Sequence, residues 1–345
     1  MRIVYLVADV SGLSGGMRII AEHVNRLSEH GHEVELWTPP ISGEPAFDIK
    51  TTIKQYDAAQ LDMPDVVVMT DPGFLKDVTK NRKKRNTYLL MQHDNEWVAE
   101  VTGSSTYADS VGEYIEFFRS GRIEIIAVSG WLVTVIRERY GLESHLVLNG
   151  IDQDLFKPTD PVMTYTEPTV MTYYDPQNWK GFPDAFMALL EVRKSVPNLR
   201  VIVLGRSFPE TPKVEGMSYG FPFPVVYFNR PAQSDLASIY SSADVFVSTS
   251  WKEGFGLTGL EALACGVPLV TTNNGGNVDY AHDGETALIV GQSSVEISVG
   301  ILRMLDNDTL RKRLIQSGLE KAAEFQWNNS IACIENIFNR SILQT

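Results

Sequence analysis

Short runs of Val, Ile and Leu alternate with longer amphipathic stretches along most of this chain, and the alternation breaks only once. Arg2–Val7, Glu33–Thr38, Asp65–Thr70, Asn86–Gln92, Glu124–Val128 and Ser144–Leu148 read as strands. The unbroken apolar run Val66-Val67-Val68-Met69 suits a strand covered on both faces. Helical spacing lies between several of them, notably at Met17–His30 and Gly130–Tyr140. From Asp154 to Pro168 the periodicity fades and prolines appear, which reads as a linker. A second alternating set follows at Val170–Tyr174, Arg200–Leu204, Val225–Phe228, Asp244–Thr249, Pro268–Thr272 and Ala287–Val290, with helices at Gly181–Ser195 and Gln233–Ser242. The pattern predicts an α/β protein of two Rossmann-like domains, each a parallel doubly wound sheet. The expected divisions are 1–157 and 158–327, followed by a last helix. Two such domains facing each other would leave a central cleft beyond the strand ends, where ligands usually sit.

Composition narrows the function. A chain of 345 residues with 43% hydrophobic and 21% charged residues can bury two ordinary cores. A net charge of −13 argues against a general nucleic-acid-binding role, which needs a basic footprint. Two cysteines, Cys265 and Cys333, make no disulfide framework and fit a reducing compartment. A strand-like segment directly after Met1, and no apolar run of spanning length, lead us to expect a cytoplasmic protein, with peripheral membrane contact still open.

The richest stretch is Glu253–Pro268, EGFGLTGLEALACGVP. Gly254, Gly256 and Gly259 punctuate a turn that feeds an apolar helix, and Gly266 with Pro268 ends it. Backbone N–H groups around Gly254, Phe255, Gly256 and Leu257 can approach an anion there, with the helix dipole behind them. Two carboxylates, Glu253 and Glu261, can accept hydrogen bonds from hydroxyls. One segment could thus hold a phosphate and a polyol, the two halves of a nucleotide sugar. An E-x7-E pair alone is equally a helix with two solvated glutamates.

With its glycines and the following CGVPLVTTNNGG and DGETALIV, the segment resembles the donor-site signature of the retaining GT-B glycosyltransferases of family four. The resemblance implies a GT-B fold and transfer of a sugar from a nucleotide sugar, UDP-, GDP- or dTDP-linked, to a glycan, lipid-linked or other hydroxyl acceptor. It implies metal-independent catalysis without a further cofactor, in polysaccharide or glycan biosynthesis. Glu253 would approach the donor sugar and Glu261 the ribose. The final helix, 328–345, would pack back on the first domain.

Other residues fit that frame. His93, after the strand ending LLMQ, by itself reads as a strand-end capping residue; the resemblance makes it a contact to the donor sugar. Lys180 resembles the family's donor-phosphate lysine, suited to stabilising a leaving diphosphate. Gly15 and Gly16 make a tight strand-to-helix turn that could also face the diphosphate or the acceptor; they are not a GxGxxG fingerprint, which disfavours a dehydrogenase. Ser129 is first an N-cap and second a site-lining residue, and Asn149-Gly150 resembles the family's turn at the end of the first domain. Asp152-Gln-Asp154 spells a D-x-D that we discount as a metal site. The family usually carries an Arg five or six positions before the lysine. Here those positions are Asp175 and Tyr174, and Arg206 or Arg230 are the cations that could compensate. This departure keeps open a non-catalytic GT-B protein that binds a sugar nucleotide or a partner subunit. The basic run Lys80–Arg85 reads first as a solvated loop and second as a lipid-facing patch.

Overall fold

A computed structural model describes the chain except residues 13, 41–42, 103–109, 207–212, 215–216, 219–220 and 344–345. It divides into two compact units: Met1–Gly150 with Trp327–Thr345, and Ile151–Gln326. The division thus falls at 150/151 rather than 157/158, and the chain re-enters unit 1 at Trp327.

Unit 1 is built on a seven-stranded parallel sheet. Its strands are β1 (Arg2–Leu6), β2 (Glu33–Thr38), β3 (Thr52–Gln55), β4 (Val66–Met69), β5 (Thr87–Met91), β6 (Glu124–Ala127) and β7 (His145–Leu146). Their order is β3-β2-β1-β4-β5-β6-β7, so the winding reverses between β1 and β4. Helices α1 (Gly15–Glu29), α2 (Leu75–Asn81), α3 (Asn95–Thr102), α4 (Ser110–Glu113), α5 (Ile115–Arg119) and α6 (Gly130–Tyr140) lie between strands. β4 and β5 are buried along their whole length, as their apolar runs require. β3 is absent from the sequence reading for the opposite reason: it is an edge strand, mostly exposed, and carries no apolar run.

Unit 2 has a six-stranded parallel sheet in the order β12-β9-β8-β13-β14-β15. These are β8 (Thr169–Tyr174), β9 (Arg200–Gly205), β12 (Val225–Asn229), β13 (Val245–Ser248), β14 (Leu269–Thr272) and β15 (Leu288–Val290). β10 (Lys213–Val214) and β11 (Met217–Ser218) make a small antiparallel ladder outside it. The helices are α7 (Phe182–Ser195), α8 (Leu236–Tyr240), α9 (Leu257–Ala264), α10 (Ser294–Asp306) and α11 (Asp308–Ala322). The helix expected over Gln233–Ser242 is a 3-10 turn, Gln233–Asp235, running into the short α8. The core joins Val170, Val201, Val203 and Val245 of the sheet to Phe186 and Leu189 of α7 and to Ile297 and Ile301 of α10.

The last helix, α12 (Trp327–Leu343), belongs to unit 1. Phe338 packs on Tyr88 at 5.0 Å between ring centroids, and Ser330 donates to the Leu148 carbonyl at 2.6 Å. Trp327 meets His23 edge-on. Burial pushes the His23 imidazole down to about 3, so it sits in the core as a neutral ring. Glu335 accepts from both His30 and His32. Among the described residues no helix is long and apolar enough to cross a membrane, and Cys265 and Cys333 are unpaired.

In the basic run Lys80, Lys83, Lys84 and Arg85 are exposed, as a solvated loop requires, but Arg82 turns inward. Arg82 is 2% exposed, and its guanidinium donates to the carbonyls of Leu61, Pro64, Asp65 and Asn86 and to the Thr87 hydroxyl. Burial lowers its pKa to about 10, and the five acceptors hold it in place. Lys84 caps the Met63 and Pro64 carbonyls.

Candidate donor site at the switch point of unit 2

In unit 2 the connection from β8 leads to β9 on one side, and the chain later returns to place β13 on the other. The winding therefore reverses between β8 and β13. The carboxyl ends of two such strands leave a crevice, the usual ligand position in an open α/β sheet. The loops that leave these two strands carry Lys180 and Glu253.

Lys180 closes a 3-10 turn, Asn178–Lys180, that ends on Gly181. Gly181 has φ +71°, and a Cβ there would lie 2.0 Å from the Thr249 carbonyl oxygen. Only glycine lets the β8 loop press against the end of β13 in this way. Trp251 holds the loop and the start of α7: its backbone N–H donates to the Trp179 carbonyl at 2.8 Å, and its indole N–H donates to Asp184 in the first turn of α7 at 2.8 Å.

Glu253 is positioned from the other side. Its N–H donates to the Asn274 carbonyl at 2.9 Å, and it bridges in parallel to Gly275. A Cβ on Gly276 would stand 2.5 Å from the Phe255 nitrogen and 2.8 Å from the Glu253 carbonyl oxygen. The NNGG sequence after β14 thus exists to let the Glu253–Phe255 backbone lie against it. Lys180 Nζ then meets both Glu253 oxygens, at 2.8 and 2.9 Å. The pair is only partly exposed, 23% for Lys180 and 18% for Glu253. An ammonium carries three N–H bonds. Two are used here, and the third has no partner among the described residues.

α9 starts directly after this loop. Its N-cap is Gly256, in a left-handed conformation, and among the described residues no side chain caps its first turn. Uncapped N–H groups at a helix start are anion-seeking. Phe255 is 3% exposed and packs on Tyr280 and Phe325, so only its backbone is available to a ligand. Tyr280 donates to the Gly256 carbonyl at 2.6 Å and braces the turn. Glu261, on the same helix, is 3% exposed and accepts from Tyr240 at 2.9 Å. It is therefore not one of a pair of solvated glutamates.

Arg206 and Arg230 separate clearly. Arg206 follows β9, the immediate neighbour of β8, and donates from Nε to Asp175 at 2.8 Å. Arg230 follows β12, one strand further out, and is exposed with φ +48°. Sequence reasoning missed Tyr173, the penultimate residue of β8. Burial and the charge of Asp175 push its phenol up to about 12, Arg206 acts in the other direction, and Glu253 and Glu261 raise it further. One phenol thus senses Asp175, Arg206, Glu253 and Glu261 together.

The unit 1 candidates form their own group. Gly15 and Gly16 open α1 behind Ser14, which caps Met17 N–H at 3.1 Å. A Cβ on Gly16 would lie 3.2 Å from the Gln92 side-chain oxygen, so the β1 and β5 loops meet next to His93. His93 is half-buried. Its neighbour Asp94 caps the start of α3 through the Trp97 N–H and pairs with Arg139 at 2.5 Å. Ser129 is fully buried and caps α6 through the Leu132 N–H. Asn149 is 1% exposed, and neither amide atom has a hydrogen-bond partner among the described residues. In the D-x-D stretch, Asp152 spends one oxygen on the Asp154 and Leu155 N–H groups, as a turn residue does.

Two doubly wound parallel units, with this loop and helix arrangement in the second, define the fold class of the GT-B glycosyltransferases. Sucrose-phosphate synthase from Thermosynechococcus elongatus superposes with a TM-score of 0.78 at 16% identity, over 100% of both chains. HepE from Anabaena, in complex with UDP-glucose, gives 0.74 at 15% identity over 98% of this chain and 99% of that one. At such identities the likeness is one of fold. Residues 165–321, nearly all of unit 2, match the family model described as glycosyl transferases group 1. The D-inositol 3-phosphate glycosyltransferase of Corynebacterium glutamicum (strain R) is 30% identical over 151 residues, 42% of this chain and 36% of that protein. The chain thus matches about two fifths of the length of the curated relatives in this group.

Proposed function

We propose that the protein is a retaining glycosyltransferase that moves a sugar from a nucleotide sugar to a hydroxyl acceptor in glycan or polysaccharide assembly. The observation that carries the reading is the Lys180–Glu253 pair, set at the β8/β13 switch point beside the uncapped start of α9. The leaving diphosphate would take the third N–H of Lys180 and the amides around Gly254–Leu257. Glu253 would accept hydrogen bonds from the sugar hydroxyls and Glu261 from the ribose. The acceptor hydroxyl would pass its proton to the leaving phosphate oxygen as the new bond forms on the same face, which keeps the anomeric configuration. His93 with Gly15 and Gly16 would serve the sugar and acceptor side. Unpaired cysteines fit a cytoplasmic setting.

In this reading the positive field on the leaving group comes from an ammonium and backbone dipoles. Turnover is therefore expected to survive EDTA. UDP-glucose is the first donor to try, since HepE binds it on this fold. The test is incubation with UDP-, GDP- and dTDP-sugars while nucleotide release is followed, with and without glycan acceptors. Acceptor-stimulated release of one nucleoside diphosphate is the expected result. Binding without release from any donor would overturn the enzymatic reading.

A further inference from the structure

An acid, Asp175, directly follows β8, and the surrounding geometry shows what that acid does. Asp175 is 5% exposed in its side chain, and both of its oxygens are engaged. Oδ1 accepts from the Gln177 N–H at 3.0 Å, and Oδ2 accepts from Arg206 Nε at 2.8 Å. Gln177 is the N-cap of the turn that presents Lys180. Asp175 therefore anchors two things at once, the loop of one cation and the side chain of another.

The second of these is the unusual one. β9 pairs with β8 through Tyr174 and Gly205, so Arg206 emerges directly beside Asp175. A Cβ on Gly205 would lie 2.1 Å from the Tyr174 carbonyl oxygen, which fixes how closely the two strand ends approach. The guanidinium is 31% exposed and anchored through Nε alone. Nη1 and Nη2, with four N–H bonds between them, have no partner among the described residues. A surface arginine normally loses rotamer freedom when it grips an anion. Here a buried carboxylate has already paid most of that cost and left the planar fork free.

We propose that Arg206, held by Asp175 at the end of β9, is the second cation of the donor diphosphate site, with Asp175 as its positioning residue. This rests on the nucleotide-sugar reading of the same crevice. Lys180 supplies a point charge from the β8 loop, and Arg206 supplies a bidentate fork from the neighbouring strand. The Tyr173 phenol feels the charges of Asp175, Arg206 and Glu253.

The experiment compares the affinities of UDP, GDP and dTDP with those of uridine, guanosine and thymidine, by competition against the donor that wild type accepts. Arg206→Ala is expected to weaken diphosphate binding by about 10- to 100-fold, the worth of charge-assisted hydrogen bonds, and to leave nucleoside binding unchanged. Arg206→Lys restores charge but no fork and should recover only part of the loss. Asp175→Asn keeps the anchor's shape, loosens the guanidinium and should fall between wild type and Arg206→Ala. A general loss of structure would lower nucleoside and diphosphate affinity together, and the ratio separates the two cases. An unchanged diphosphate-to-nucleoside ratio in Arg206→Ala would overturn the assignment while leaving the nucleotide-sugar reading intact. A wild-type protein that binds none of the three diphosphates would overturn both.

Discussion

The two units are wound by the same rule and armed differently. In unit 1 the winding reverses between β1 and β4, and the loop that leaves β1 brings Gly15 and Gly16 to an uncrowded turn against the Gln92 side chain. In unit 2 it reverses between β8 and β13, and the loops there bring two cations and three carboxylates together: Lys180, Arg206, Asp175, Glu253 and Glu261. The backbone contacts differ in the same sense. Gly181 and Gly276 lie against main-chain atoms, at 2.0 and 2.5 Å from a would-be Cβ, whereas Gly16 lies against the end of a flexible side chain. On the proposed reading the contrast has a reason: a site for a small charged donor would need fixed charges and loops locked by close backbone packing, whereas a surface that meets a hydroxyl-rich acceptor would need no such lock.

Variants can break or sharpen this contrast. The largest effect should come from Lys180→Ala, which removes the point charge from the leaving group. A fall in turnover of about 100- to 1000-fold is expected, with little change in acceptor KM. Wild-type rates in that variant would remove Lys180 from the site. Next, Glu261→Ala should weaken nucleoside diphosphate binding by about 1.5–3 kcal/mol, read by calorimetry, because hydroxyls lose a charged acceptor. Unchanged affinity would leave Glu261 a purely structural partner of Tyr240. Gly276→Ala forces a methyl group into the Glu253–Phe255 backbone and should cost about 1–3 kcal/mol of stability in a denaturant titration, with a loss of donor affinity besides. Gly16→Ala should be the mildest, within about 0.5 kcal/mol, since the Gln92 side chain can swing away. If Gly16→Ala proves as damaging as Gly276→Ala, the distinction between a locked donor unit and a looser partner fails.

Most strands were visible in the sequence because parallel strands buried on both faces need unbroken apolar runs, as at Val66–Met69 and Val201–Leu204. The edge strand β3 was invisible, since Thr52–Gln55 has no such run to offer. The candidate donor loop stood out through short spacing: Glu253 and Glu261 with Gly254, Gly256 and Gly259 between them resemble the donor-site signature of the family-four GT-B enzymes. Tyr240, Tyr280, Trp251 and Asp184 did not. Each is an ordinary core or surface residue by type and acquires a bracing role only through a neighbour far along the chain.

Sequence alone determined the α/β alternation, two repeated sets of strands and helices, and the segment that could hold both an anion and a polyol. These are local matters of periodicity, turn chemistry and short spacing. Only the tertiary structure decided which charges meet. Lys180 finds Glu253 because β13 returns beside β8, and Asp175 changes from a missing cation into the anchor of Arg206 because β9 lies against the other side of that strand. Arg82, which reads as surface charge, goes inward because the backbone carbonyls at Leu61, Pro64, Asp65 and Asn86 converge on it. Side-chain pairing follows strand order, and strand order is a property of the whole sheet that no single window of sequence contains.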